Sequence, residues 1–539
     1  MKRLFELQAL RRLHAVDWVL IAATFAFCSL TVMYPFGRDQ GLYHYVGREW
    51  FAGALPYRDT MDQKTPLIYL LYGFACWLFD ENMWSIRLVE LIWVMSIGSH
   101  LARAASLRGE EPLPGVLGTA TLASAIMYYG VLGFWDTAQC EIWYVGLTYL
   151  SLAVVQRHRR AVLGPLMAGF WGGLACLAKP PGVFMVMIPV VALGYNALSE
   201  SRAQATAVRV RRVLQALLLF TAGAALPTLI VLAYFGARGG LDDLIDVVIK
   251  CNAYYREHEF ADYGGLPIAV EGVRAAWLFT YPLSLFGFLA GAAGVAIALK
   301  KRNWKLLRRY ALAFSFPAAA ITAVVVQRMY FPYHWGALHV AWAVPLVFAA
   351  QDAARVGPTL LVKPVSGAWF GGAFGVLFAI GYTSASGHAS AHYGNMKLNY
   401  DYLVGKVDSM AWATHYNIPN FYDLASNLAV GEWLRKNSMP HERVASRNFE
   451  PAIYAISHRT SGLRFFWTSW LTVPKRSYRR EEWLAQDMEQ LRRRPPRFAV
   501  VFRGSAGSPD SAEYLAPLGE WVERFSYANL TVIERKRPE

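Results

Sequence analysis

Apolar runs set what this chain can become. Several are long enough to cross the hydrocarbon of a bilayer as a helix, which takes about 20 residues. Inside hydrocarbon every backbone N–H and C=O must bond within its own segment, so such runs fold as helices. The first is about Val16 to Phe36 and the next Trp84 to about Leu107. Nine more are read at about 115–133, 137–155, 161–178, 182–198, 213–235, 276–299, 310–326, 335–350 and 364–384. Together these make about eleven crossings. The chain has 539 residues, 55% of them hydrophobic, a share that soluble domains rarely sustain over such a length. The expected fold class is a polytopic α-helical membrane protein.

The net charge of +15 fits that class without any nucleic-acid partner. Basic residues collect in the cytoplasmic loops of membrane proteins, and no nucleic-acid-binding motif is present. Lys2, Arg3, Arg11 and Arg12 place the N-terminus in the cytoplasm. The run that follows has no small-residue cleavage site and reads as a retained anchor. The segment Pro66 to Phe79 is apolar but short and reads as re-entrant or interfacial. If it does not cross, the basic stretches at Arg157 to Arg160, Arg202 to Arg212, Lys300 to Arg309 and Arg355 all fall in the cytoplasm. If it crosses, all of them fall outside. The five cysteines (Cys28, Cys76, Cys140, Cys176 and Cys251) show no Cys-x-x-Cys spacing, and four lie in apolar segments. They read as small buried hydrophobes.

After about Ser384 the composition turns polar. Leu424 to Lys436 has helical spacing of apolar residues, and Phe498 to Phe502 and Leu530 to Ile533 read as strands. The expected division is a membrane domain over 1–384 and a small soluble α/β domain over 385–539, outside the membrane on the face opposite the N-terminus.

Charges at the outer helix ends carry the functional argument, because charge near hydrocarbon is costly. Gly37 to Pro66 gathers Asp39, Asp59 and Asp62 with Arg38, Arg58, Lys64 and several Tyr. Asp39 and Asp62 can be helix caps or a site. The helix expected from Gly41 to Gly53 is amphipathic and lies along the membrane surface. A second cluster is Gln327 to Trp335, with Arg328, Tyr333 and His334. It is either an interfacial belt or a phosphate clamp, since Arg matches phosphate oxygens in a bidentate way. Glu141, just inside a span, and Lys179, before Pro180-Pro181, are further ligand candidates. The loop from Gly236 to Ala275, with Asp242, Asp243, Asp246 and Tyr254 to His258, is expected to hold an amphipathic helix.

Asp39-Gln40-Gly41-x-Tyr43, then Pro56-Tyr57-x-Asp59 and Asp62-x-Lys64-x-Pro66, resembles the first outer loop of the GT-C glycosyltransferases. Within them it is similar to bacterial relatives of protein O-mannosyltransferases, lipid A aminoarabinose transferases and rhizobial galacturonosyltransferases. Arg328 to Trp335 resembles the family's late outer loop, and Glu450 to Tyr454, His458-Arg459 and Arg464 to Phe466 resemble its periplasmic tails. The resemblance implies a multi-pass protein of the bacterial inner membrane whose site faces outward. It implies a polyprenyl-phosphate-linked sugar as donor, a lipid, glycan or protein of the cell envelope as acceptor, and inversion at the anomeric carbon. By the same resemblance Asp39 is the catalytic base and Lys64 meets the lipid phosphate. Gln40 and Gln63 depart from the pattern, the latter where some relatives have a metal-holding carboxylate. No cofactor is expected to be required, no metal ligand is assigned, and a divalent metal stays open.

The chemistry agrees with that reading. Phosphate leaves without a general acid, so one carboxylate suffices to take the acceptor's proton, with Asp39 first and Asp62 second. Lys64, Arg328 and Arg58 are the cations for the charge growing on the phosphate. Tyr43, Tyr57, Glu141, Lys179, Tyr333 and His334 are the expected substrate contacts, aromatic faces suiting sugar and prenyl chain. No phosphate-binding Gly-rich loop is present. The alternative is a transporter or flippase of a lipid-linked sugar, which internal repeats and charges at the bilayer midplane would favour.

Overall fold

The computed structural model describes residues 14–157, 162–201, 203–360, 366–384, 386–503 and 508–536. Lys2, Arg3, Arg11, Arg12, Arg159, Arg160 and Arg202 lie outside the described residues. The chain forms two compact units, each assembled from three separate stretches. One comprises Met1–Thr31, Glu90–Ile230 and Gly265–Asn395, and the other Val32–Val89, Val231–Gly264 and Met396–Glu539.

The first unit is helical. Among the described residues of the whole chain, seven helices are long and apolar enough to cross a membrane, or up to eight if one bent pair, Gly367–Ser384 and Gly387–Leu403, is a single span. The protein is thus a multi-pass membrane protein. Three expected spans are not among those eight. Val116–Gly130 and Leu163–Ala178 are apolar but shorter helices, and Cys140–Arg157 is 18 residues with an acidic first turn and a basic last one. The span expected at 276–299 is interrupted at Tyr281-Pro282, giving helices Leu266–Thr280 and Leu283–Lys300.

Buried charges inside this unit have structural work. Asp17, in the helix Ala15–Cys28, accepts from Gly115 N–H and Gly118 N–H, both at 2.9 Å. It thereby caps the helix Val116–Ala125, whose first N–H groups have no partner within the helix. Glu90 accepts from Tyr128 Oη at 2.5 Å and from Ala138 N–H. All five cysteines are free, and four of them are buried.

The second unit carries a four-stranded sheet. Its strands are β1 (Val444–Arg447), β2 (Phe498–Phe502), β3 (Trp521–Tyr527) and β4 (Leu530–Arg535). Their order is β1-β2-β4-β3, with β1 parallel to β2 and the other pairs antiparallel. Both faces are apolar because alternate residues of each strand point to opposite sides. Val444, Phe498, Val500 and Val532 pack with Val430, Leu434 and Ile453 on one face. Ala445, Val501 and Ile533 pack with Leu463 and Leu491 on the other. Arg447 and Asp487 form a bidentate pair at 3.1 and 2.7 Å with neither side chain exposed. Arg447 Nε also donates to the Pro509 carbonyl.

The charged stretch from Gly37 to Pro66 belongs to this same unit. Arg38–Phe51 and Pro66–Phe79 are two helices packed face to face. A Cβ on Gly47 would stand 2.5 Å from the Tyr69 carbonyl oxygen, so glycine permits that contact. Gly41 does the same against the tail, where a Cβ would meet the Ala452 nitrogen at 2.7 Å. Tyr45 stacks on Phe466 at 4.1 Å, and Arg38 pairs with Glu450 at 2.7 Å.

Candidate functional site

The Arg38–Phe51 helix starts one residue before Asp39, with Gly37 as its N-cap. Gln40 reaches back to accept from Gly37 N–H at 3.0 Å. Asp39 is therefore not the cap. It sits half-buried in the first turn, where an anion is favoured by the helix dipole. Nor is Asp62 a cap, because Thr65 occupies that position for Pro66–Phe79, with Pro66 at its first residue. Asp62 is buried and accepts from Tyr69 Oη at 2.7 Å.

A compact network surrounds these carboxylates. Tyr43 Oη donates to Asp39 at 3.3 Å, and the Lys64 ammonium stands 6.0 Å from the centroid of the Tyr43 ring. Lys64 N–H donates to Tyr69 Oη at 3.0 Å, and Tyr57 Oη donates to the Lys64 carbonyl at 2.8 Å. Asn252 donates to the Gln63 carbonyl at 2.9 Å and so pins the Asp62–Lys64 turn. Burial raises the Asp62 pKa above the usual carboxylate range; Lys64 and the Tyr69 hydroxyl oppose this, while Asp39 adds to it. Two carboxylates that sense one another beside an ammonium are a natural proton-accepting and anion-holding arrangement. Asp39, Asp62, Lys64, Tyr43 and Tyr57 are thus brought together.

Arg58 is not free for such a role. Its guanidinium forks onto Asp59 at 3.0 and 2.9 Å and bonds the Arg238 carbonyl. Burial works against the Asp59 charge, but the bonds from Arg58 and from Leu55 N–H outweigh it and hold the pKa low.

Three residues that the sequence did not assign to the site, Arg476, Glu259 and Tyr255, form a group beside this network. Arg476, from the turn Pro474–Arg476, pairs with Glu259 at 2.9 Å and stands 5.7 Å from the Tyr255 ring centroid. Arg476 feels the charge of Asp39, and Tyr255 feels both Lys64 and Asp39. Tyr255 and Glu259 fall in or beside a loop noted for its charges, but nothing in Pro474-Lys475-Arg476 marks it as near Asp39.

In the helical unit, Glu141 and Lys179 pair at 2.5 Å, and the Lys179 ammonium lies 5.7 Å from the Tyr333 ring centroid. Glu141 is buried, and its Oε2 has no hydrogen-bond partner among the described residues. His334 is buried against Tyr333 at 4.3 Å, with Nδ1 2.6 Å from the Met329 carbonyl oxygen. Arg328 ends the helix Trp304–Gln327 in the left-handed region at φ 59° and is exposed. It makes no ion pair among the described residues. Those residues include no group of three or more His, Cys, Asp or Glu placed to hold a metal.

The fold is that of ArnT. ArnT from Cupriavidus metallidurans bound to undecaprenyl phosphate superposes with a TM-score of 0.53 over 96% of this chain and 98% of its own, at 14% identity. The apo form of the same ArnT gives 0.51 over the same shares, also at 14% identity. An oligosaccharyltransferase from Archaeoglobus fulgidus, in complex with zinc and sulfate, aligns at 0.44 and 14% identity over 90% of this chain and 68% of its own, too low to bear on the fold. No protein-family model matches the chain, and no curated protein matches its sequence.

Proposed function

We propose that the chain is an inverting glycosyltransferase that moves a monosaccharide from a polyprenyl-phosphate donor to a hydroxyl of a cell-envelope acceptor. The observation that carries this is the Asp39–Tyr43–Lys64–Asp62 network in a chain with the fold of ArnT. In this reading the acceptor oxygen attacks the anomeric carbon as the bond from that carbon to the phosphate oxygen breaks. One displacement inverts the centre. Asp39 takes the acceptor's proton, and the electron pair of the broken bond leaves with the polyprenyl phosphate. Lys64 offsets the charge that grows there. Asp62, held by Tyr69, keeps Lys64 placed and is the second candidate base. Arg476 is a further cation near Asp39.

Arg328 is proposed as a contact to the donor phosphate, being the exposed, unpaired cation of the late outer loop. Tyr333, His334, Glu141 and Lys179 are proposed as substrate contacts. Residues 1–384 are taken as the catalytic membrane portion and 385–539 as a soluble portion on the outer face of the inner membrane. The ArnT structure with undecaprenyl phosphate supports the donor class. The test is sugar transfer from a purified polyprenyl-phosphate donor to envelope extract in nanodiscs. Donor turnover with sugar recovered on the acceptor supports an enzyme. Donor that changes leaflet unaltered would instead support a flippase.

A further inference from the structure

The helical unit holds a second feature far removed in chemistry from sugar transfer. A cavity of about 870 Å³ opens where the helices Met83–Ala105, Val183–Glu200 and Ala343–Val356 end and Trp304–Gln327 begins. That volume is at the upper end of small-molecule sites. Its wall is apolar, with Phe184, Met187, Ile188, Val191 and Leu312. Met187 and Val191 remain 49% and 64% exposed, so this wall is uncovered. Its mouth carries Arg108, Lys305, Arg308, Arg309 and Arg355.

The charges at the mouth do not balance. Arg108 pairs with Glu200 at 2.8 Å, Arg309 with Asp352 at 3.1 Å, and Arg355 with Glu110. Lys305 and Arg308 have no carboxylate partner among the described residues. Arg308 only donates to the Tyr195 hydroxyl and the Trp304 carbonyl, lying 5.3 Å from the Tyr195 ring centroid. Both cations sit in the first turns of Trp304–Gln327, the end of a helix where its dipole disfavours positive charge. The local helix therefore gives no reason for them. Two more donors of the lining, Arg309 Nη2 and Asn196 Nδ2, are buried without an acceptor among the described residues. Cations and spare N–H donors over an uncovered apolar wall match one kind of molecule, an anionic headgroup on acyl chains.

We propose that this cavity binds an anionic glycerophospholipid of the surrounding bilayer. Phosphate oxygens accept from Lys305 and Arg308, and the acyl chains lie along Met187, Val191 and Leu312. The test uses the full chain in neutral detergent, titrated with phosphatidylglycerol, phosphatidylcholine or undecaprenyl phosphate and read by native mass spectrometry and thermal melting. The parent should retain phosphatidylglycerol and melt higher with it, and phosphatidylcholine should do neither. Lys305→Ala with Arg308→Ala should weaken retention about tenfold or more, as expected for two lost charge-assisted contacts. Lys301→Ala with Arg302→Ala removes equal charge from exposed positions outside the lining and should leave retention unchanged. Ala319→Trp fills the wall without touching charge and should lower retention, which keeps a readout if the double variant folds poorly. Equal loss in the Lys301/Arg302 control overturns the proposal in favour of diffuse attraction. Unchanged retention in the Lys305/Arg308 variant also overturns it. Displacement of phosphatidylglycerol by equimolar undecaprenyl phosphate would make the cavity a polyprenyl-phosphate site instead.

Discussion

Asp39→Asn replaces one carboxylate oxygen by an amide and keeps the shape that Tyr43 contacts. Because Asp39 is not the N-cap, the change leaves the helix start intact. Transfer should fall about a hundredfold or more, as for loss of a general base, while the melting temperature holds. Near-normal turnover by the stable variant would remove Asp39 as base and pass the role to Asp62. Asp62 gives a separate, pH-dependent signal. Its folded pKa is raised by burial, so the folded chain holds that proton more tightly than the unfolded one. Its contribution to stability is full below the ordinary carboxylate pKa and is lost as pH rises through the raised value. Asp62→Asn cannot ionise, so melting curves over a pH series should show the variant gaining on the parent as pH rises. A constant difference across the series would contradict a buried, reluctant acid. Asp39, Asp62 and Lys64 were legible because they fall in one charged stretch of sequence, Gly37 to Pro66. Arg476 was not, because its nearness to Asp39 depends on tertiary contacts across more than four hundred residues of sequence.

Among elements, the strands divide by what their residues reveal. β2 and β4 are runs of Val, Ile and Phe and could be read directly. β1 is only Val-Ala-Ser-Arg, all buried, and its Arg447 gives no hint that Asp487 awaits it in the interior. β3 is an edge strand with Glu523 and Arg524 and a register shift beside them, so its alternation is broken. The Arg447–Asp487 pair yields a prediction about the sheet. Asp487→Ala removes the carboxylate that forks onto a buried guanidinium, a loss on the order of 3–5 kcal/mol. A clear drop in melting temperature is expected, with Asp487→Asn milder because it still accepts. Equal stability of Asp487→Ala and parent would show the pair to be dispensable. The two first-loop helices were legible in outline, though the first begins at Arg38 rather than Gly41. Their closeness to the tail was not, since only the structure shows the Ala452 backbone against Gly41. Gly41→Ala should therefore lower both stability and transfer, by forcing that backbone away from the turn that carries Asp39.

For the whole molecule, length and hydropathy identified the membrane class and most spans, but not the count. The helices at the expected spans 115–133, 137–155 and 161–178 are short or charged at their ends; Cys140–Arg157 and Leu163–Ala178 pack on one another, and Val116–Ala125 packs on Ala15–Cys28 and Gly367–Ser384. Sidedness rests on a different argument, the placement of basic residues. Lys300, Lys301, Arg302, Lys305, Arg308 and Arg309 crowd the turn between Leu283–Lys300 and Trp304–Gln327. That turn should face the cytoplasm. The tail sheet should lie on the opposite side, because three apolar spans follow that turn, Trp304–Gln327, Pro332–Thr359 and the bent pair Gly367–Ser384 with Gly387–Leu403 counted as one. Single cysteines at Met439 and Lys301 in a cysteine-free chain would report on this, since both positions are exposed. A membrane-impermeant maleimide applied to intact spheroplasts should label position 439 and leave 301 unlabelled until the membrane is opened. Labelling of 301 alone would put that turn outside, the outcome expected if Pro66–Phe79 crosses, and would overturn the reading of that helix as non-crossing. Labelling of both would mean that the chain between them crosses an even number of times, and Pro66–Phe79, which lies outside that interval, could not then be the reason.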